Sequence, residues 1–196
     1  MPIDRRTFLA SLAAVAPALT LARPAAAQTE SVLTFLAQAE LLRLGNRIPN
    51  QDVVGVVNFA RPSSEPRMHL IDMRTGAIQN FLVAHGRGSD PEHSGWLQTF
   101  SNEFNSECSS KGAFLTGNYY YGHHGHSMRL IGLDATNSNA EAREIVVHSA
   151  AYVCPEILRE KGVLGLSEGC FAVDVAALPS VIDRLGPGRL LVSTKI

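Results

Sequence analysis

Between Val53 and Thr194 the apolar residues come in short runs separated by turn-forming residues, and this pattern limits the fold more than any other feature. Val53 to Phe59 is rich in β-branched residues. Met68 to Met73 and Ile78 to Ala84 flank Arg74-Thr75-Gly76 and read as two strands joined by a short glycine-containing turn. Ala113 to Tyr121, Ser127 to Leu133, Glu144 to His148 and Leu190 to Thr194 have the same strand-like character. Helical spacing predicts helices over 31–44, with Ser31 suited to cap the start, over Pro155 to Lys161, and over Asp174 to Leu185. Gly186-Pro187-Gly188 ends the last of these. The prediction is one mainly β domain with a few peripheral helices, for which 196 residues suffice. Residues 85–112 are poor in apolar side chains and rich in Gly, Ser, Asn and Asp; a loop that long in a compact domain tends to carry function.

The first 27 residues read as a leader. Asp4-Arg5-Arg6-Thr7-Phe8-Leu9 is a charged start. The apolar run Phe8 to Leu21 is shorter than the roughly 20 residues that span a bilayer. Arg23, Pro24 and Ala25-Ala26-Ala27 complete the charged, apolar, small-residue order of a signal peptide, and the paired arginines resemble the twin-arginine signal. Pro17 and Pro24 argue against a buried or anchoring helix. The mature chain is predicted to start near Gln28, with a helix and linker over 28–50 and the main domain over 51–196. It would work in the periplasm with no stable membrane anchor. A net charge of −1 gives no argument for nucleic acid or an anionic membrane surface as partner.

Three cysteines in an oxidising compartment leave at least one unpaired. Cys108 and Cys154 could pair and leave Cys170 free, or either could be a small buried residue. Cys170 lies in Ser167-Glu168-Gly169-Cys170, a design suited to an exposed nucleophile. Gly169 permits a tight turn and close approach of substrate, and the N–H groups of Gly169 and Cys170 could face a developing oxyanion. A thiol needs a base or an electropositive surrounding to react. Ile145-Val146-Val147-His148 is an apolar strand ending in a histidine, a rigid mount for that base.

His148 followed by Ser-x-Gly-Cys resembles the signature of the murein L,D-transpeptidases. Further segments are similar to one divergent branch of that family: Val83-Ala84-His85-Gly86-Arg87-Gly88-Ser89, Phe100-Ser101-Asn102, Ser109-Ser110-Lys111-Gly112-Ala113-Phe114, and Tyr121 to Leu130. The similarity spans roughly residues 50–195. It implies a mixed β-sheet or sandwich catalytic domain that needs no metal or organic cofactor. It implies that Cys170 attacks the bond between the L-centre of a diamino acid and a terminal D-alanine in peptidoglycan stem peptides. His148 would act as base and Ser167 would orient the site. Apart from the resemblance, a guanidinium can grip a carboxylate with two parallel bonds, so Arg129 is a candidate either to hold a substrate carboxylate or to form a structural ion pair, as are Arg87 and Arg143; His126, Ser127, His85 and Gly112 are the further candidates to lie beside the substrate. An amine resolving the thioester gives transfer, and water gives trimming. Glu168 stands where better-known members have His, and Phe171 and Ala172 where they often have Arg or Asn, which bears on acceptor choice.

Two other readings compete. His123, His124 and His126, with His85 and His93, could hold a metal, but His123 and His124 would point to opposite faces of a strand. A non-catalytic envelope-binding protein on the same scaffold is the other. Tyr119 to Tyr121 read as packing residues rather than as a glycan site.

Overall fold

A computed structural model gives the fold over residues 25–196, the residues described below. Among them, the strands form one nine-stranded mixed sheet in the order β3-β2-β1-β9-β5-β6-β7-β8-β4. The strands are β1 (Val53–Asn58), β2 (Met68–Asp72), β3 (Ile78–Phe81), β4 (Val83–Ala84), β5 (Gly112–Gly122), β6 (Gly125–Gly132), β7 (Val146–Ser149), β8 (Phe171–Val173) and β9 (Leu190–Thr194). The pairs β1–β9 and β7–β8 are parallel and the rest antiparallel. The helices are α1 (Ala25–Leu44), α2 (Pro155–Lys161) and α3 (Leu178–Leu185). The leader lies mostly outside the described residues.

The sheet curls. Four strands separate β1 from β8, so a flat sheet would hold them roughly 24 Å apart at about 4.8 Å per strand. Yet Phe59, just past β1, and Phe171 in β8 stack with ring centroids 6.2 Å apart. The concave face closes around Phe59, Phe114, Phe171, Leu70 and Val83, and α3 fills it with Leu178, Val181, Ile182 and Leu185. These four α3 positions recur at helical spacing, so burying that stripe supplies most of the helix's stability. The outer face is covered in two places. Leu33, Ala37 and Leu44 of α1 pack on Val54, Val56 and Val192. Val153 and Leu164, on either side of α2, pack on Ala84 and Ala172.

Four predicted boundaries change. Helix α1 begins at Ala25, so Ser31 lies inside it and is not its cap. Helix α3 begins at Leu178 because Asp174 turns the preceding residues: its carboxylate accepts the Ala176 N–H at 2.7 Å and its carbonyl accepts those of Ala177 and Leu178. The run Ile78 to Ala84 divides. β3 pairs with β2, whereas β4 crosses to the far edge and pairs with β8. Cys170 leads into the short strand β8 before the chain reaches α3. The hairpin turn at Arg74-Thr75-Gly76 is as predicted, with Asp72 accepting the Arg74 and Thr75 N–H groups.

Candidate active site

Cys170 ends a turn that starts at Ser167 and feeds β8. The Ser167 hydroxyl donates to the Cys170 carbonyl at 2.7 Å and accepts the Gly169 N–H at 3.2 Å. The extension of β4 grips the turn from outside: the Ser167 N–H donates to the His85 carbonyl at 2.9 Å, and the Arg87 N–H donates to the Ser167 carbonyl at 2.8 Å. Ser167 is thus a positioning residue. The Gly169 N–H is already bound to it, which corrects its predicted use as an oxyanion donor. Gly169 is needed for another reason. Its φ is +114°, and a Cβ there would lie 2.7 Å from the Cys108 carbonyl oxygen. Gly86 sits on the other side, where a Cβ would fall 2.1 Å from the Glu107 carbonyl oxygen and 2.8 Å from the Gly169 Cα. Backbones this close leave no room for a side chain.

The register of β7 and β8 sets His148 relative to Cys170. Val147 lies beside Phe171 and His148 beside Ala172. Val147 and Phe171 face the concave core, so His148 and Cys170 share the outer face. One strand spacing and a two-residue step separate their α carbons by roughly 8 Å, within reach of a thiol and an imidazole. His148 is buried, and its Nδ1–H donates to the Ser149 carbonyl at 2.9 Å. A carbonyl can only accept, so this bond leaves the lone pair on Nε2. The His124 ring, from the β5–β6 turn, stacks on His148 with centroids 4.1 Å apart. Burial holds the His148 pKa below its ordinary value, the Ser149 bond opposes this, and the charge of His124 adds to it.

The Cys170 thiol, read from the sequence as exposed, is buried at the foot of the turn and directed at a backbone carbonyl. It donates to the Glu144 oxygen at 3.6 Å. The predicted proton contact with His148 is therefore a shared face and a shared neighbourhood, with the hydrogen bond going elsewhere. Glu144 has φ +55°, an uncommon conformation for a non-glycine residue, at the position that offers this carbonyl. Burial pushes the thiol pKa up, and the charges of Glu168 and Glu144 add to the rise. The Val146 N–H and the Arg143 guanidinium oppose it. Both partners of the pair are thus held neutral: thiol and imidazole, not thiolate and imidazolium.

Two further residues lie beside Cys170. Arg143 donates to the Ser101 and Cys108 carbonyls at 2.9 and 2.7 Å and to the Ser110 and Ser106 hydroxyls at 2.7 and 3.2 Å. It ties the long loop to the nucleophile turn and places a positive charge near both Cys108 and Cys170. Sequence offered it, like Arg129 and Arg87, as a grip for a substrate carboxylate or as part of a structural ion pair. Tyr152 packs against Gly165, and burial together with the charges of Cys170 and Glu168 raises its phenol to about 12. No motif marks it.

The remaining predicted residues divide. Arg129 is exposed on the face of His148, opposite Val146, with its guanidinium carbon 4.4 Å from the Tyr120 ring centroid. Among the described residues no carboxylate pairs with it. Glu168 is exposed and accepts from Arg87 at 3.0 Å, and Arg87 also binds Glu107. The other predicted substrate residues lie in different settings. His85 is fully buried, accepting from Arg67 at 2.6 Å and donating to Asp90 at 3.3 Å. Ser127 is fully buried and donates to the Gly125 carbonyl at 3.2 Å. His126 faces the opposite side of the hairpin from His148, stacked on Tyr121. Gly112 packs against Asp134, Thr136 and Asn137 at the start of β5.

Cys108, Cys154 and Cys170 are all free thiols, so the considered Cys108–Cys154 bridge is not made. His123 and His124 occupy the turn between β5 and β6 rather than a strand, with rings edge to face at 5.2 Å. Among the described residues no three His, Cys, Asp or Glu side chains converge as a metal would require. None of the described helices is long and apolar enough to cross a membrane.

Comparison with known proteins bears on the whole domain. The family model of the L,D-transpeptidase catalytic domain matches residues 28–193. No curated protein matches the chain. Solved structures with a similar fold include an L,D-transpeptidase from Mycobacterium smegmatis, at TM-score 0.43 and 13% identity over 72% of this chain and 58% of that one. An L,D-transpeptidase from Mycobacterium tuberculosis H37Rv gives 0.45 and 15% over 72% and 57%. The helical cell shape determining protein of Campylobacter jejuni gives 0.47 and 10% over 73% and 47%. This chain therefore spans little more than half the length of the mycobacterial structures.

Proposed function

The chain belongs to the L,D-transpeptidase catalytic domain family, and from that premise we propose that it is a cysteine acyltransferase acting on peptidoglycan stem peptides, with Cys170 as nucleophile and His148 as base. The observation that carries this reading is the placing of the two side chains on one face of adjacent parallel strands, with the His148 lone pair on Nε2.

Because thiol and imidazole are both held neutral, the proton moves as the sulfur attacks. The thiol leaves the Glu144 carbonyl and turns to His148. Nε2 takes its proton while the sulfur bonds to the carbonyl carbon between the diamino acid and D-alanine. The Cys170 N–H is our candidate to meet the oxyanion, since the Gly169 N–H is occupied. When the tetrahedral adduct collapses, the C–N bond breaks and His148 returns the proton to the departing D-alanine amine. The thioester then yields to an amine of a second stem or to water, with His148 taking that nucleophile's proton and the sulfur regaining one. Arg129, exposed on the same face and free of a carboxylate partner, is our candidate to grip a substrate carboxylate. Export to the periplasm by the twin-arginine route belongs to the same reading.

The test is incubation of the purified protein with disaccharide-tetrapeptide. Cross-linked dimers identify transfer and tripeptides identify the alternative, an L,D-carboxypeptidase. No change in either product refutes both. In parallel, a carbapenem should add covalently to the wild type and not to Cys170→Ala, as read by intact-protein mass spectrometry.

A further inference from the structure

The β5–β6 hairpin carries an aromatic surface that the acyl-transfer chemistry does not use. Tyr121 is 82% exposed and lies flat on His126, with centroids 4.8 Å apart and planes 10° apart. Tyr119 meets the same imidazole edge-on at 5.4 Å, and its hydroxyl donates to the Ile182 carbonyl of α3 at 2.9 Å. Beside these rings a cavity of about 520 Å³ opens between hairpin and helix, lined by Tyr119, His126, Pro179, Ser180, Ile182 and Asp183. The volume lies in the range of small-molecule sites. One face of the Tyr121 ring is covered by His126 and the other is open to solvent. Packing therefore does not explain it, contrary to the reading from sequence.

We infer that this platform binds a pyranose of the peptidoglycan glycan strand, an inference that rests on the proposed activity. Three observations select that occupant. A bare aromatic face, backed by the stacked His126 ring, matches the apolar C–H face of a sugar ring. Asp183 and Ser180 on the cavity wall can accept and donate to sugar hydroxyls, and a carboxylate there disfavours anionic ligands such as nucleotides or the free carboxyls of stem peptides. The platform also shares its hairpin with the catalytic pair. Tyr121 pairs with His126 one step before the turn, and His124 of that turn lies on His148. A stem reaching its third residue spans on the order of 10 Å at about 3.5 Å per residue, enough to pass around a hairpin tip. Glycan held on one side of the hairpin would thus present its stem to Cys170 on the other.

The probe is the N-acetylglucosamine tetramer, which has no stem peptide and cannot react with Cys170. Titrated into the full chain by NMR, it should shift the resonances of Tyr119, Tyr121 and His126. Tyr121→Phe should keep this affinity, and Tyr121→Leu should weaken it about five- to tenfold, as the loss of an aromatic stacking partner does. Tyr121→Leu should also slow turnover of disaccharide-tetrapeptide but not of the free tetrapeptide. Absence of tetramer binding, or equal affinity in Tyr121→Leu, overturns the inference. The carbapenem adduct reports separately. An adduct without tetramer binding sinks the platform alone, and binding without an adduct sinks the acyl-transfer reading while the platform stands.

Discussion

His124 lies against His148 with ring planes 20° apart and centroids 4.1 Å apart, so the tip of the β5–β6 hairpin is also the roof of the proposed base. The contact covers the imidazole and sets a second titratable ring beside it.

His124→Ala should move the acid limb of the reaction to higher pH. Burial is the largest influence holding the His148 pKa down, and the charge of His124 acts in the same direction. Removing the ring weakens both, so the base protonates more readily. The expected outcome is a shift of the acid limb toward higher pH, in the direction opposite to the combined effect of burial and His124. The pH dependence of carbapenem acylation measures it, and an unmoved limb would show that the roof has no electrostatic role.

Arg143→Met should lower both reactivity and stability. Its guanidinium opposes the upward push on the Cys170 thiol, so the thiol should titrate higher without it. It also makes hydrogen bonds to Ser101, Ser106, Cys108 and Ser110, and leaving such partners unpaired costs about 2–4 kcal/mol. Arg143→Lys should restore much of the thiol titration but not the stability, because an ammonium lacks the planar fork. Thiol alkylation rates against pH and thermal unfolding read the two effects separately.

Stability should fall as pH drops from about 6.5 to about 4, the window set by His85. Burial first, and the Arg67 charge second, push its pKa down to about 4 from an ordinary 6.5. Within that window the unfolded chain binds a proton that the folded chain refuses. The stabilisation is complete above the window and lost as pH falls through it, on the order of 3 kcal/mol. A thermal midpoint that stays level from pH 7 to pH 4 would contradict this. His85→Leu should cost about 1–3 kcal/mol at neutral pH by leaving one N–H group of the buried Arg67 unpaired while its bonds to the Val83 and Arg61 carbonyls remain.

Gly86→Ala should damage the site without touching Cys170 or His148. The added methyl would meet the Glu107 carbonyl at 2.1 Å and Gly169 at 2.8 Å, so either the loop or the nucleophile turn must move. Overpacking of this kind costs about 1–3 kcal/mol. A shift approaching 1 Å at a reacting group slows chemistry by about a hundredfold. Unfolding and acylation rates of the variant, compared with the wild type, decide it.

Much of this was legible in the sequence. Short β-branched and apolar runs bounded by turn residues located β1, β2, β5, β6, β7 and β9 to within a few residues, because strands covered on both faces, such as β1 and β9, read as nearly continuous apolar segments. The Ser-x-Gly-Cys turn and the strand-end histidine marked Cys170 and His148, since the chemistry they suit needs those residue types there. The sequence did not reveal β4 or β8. The apolar run Ile78 to Ala84 looks the same whether it stays with β2 or crosses the sheet at Leu82. Nor could it tell that His85 and Ser127 would be sealed inside while Tyr121 stood bare.

The strand character of each segment was therefore fixed locally, before any contact between segments is considered. Which face Cys170 and His148 share was decided only when β7 and β8 met with Val147 beside Phe171. A slip of one residue in β8 alone would have sent the sulfur into the concave core and left the imidazole outside. Pairing between distant segments is a property of the folded chain, because the contacts that select the register exist only once the sheet has curled around its core.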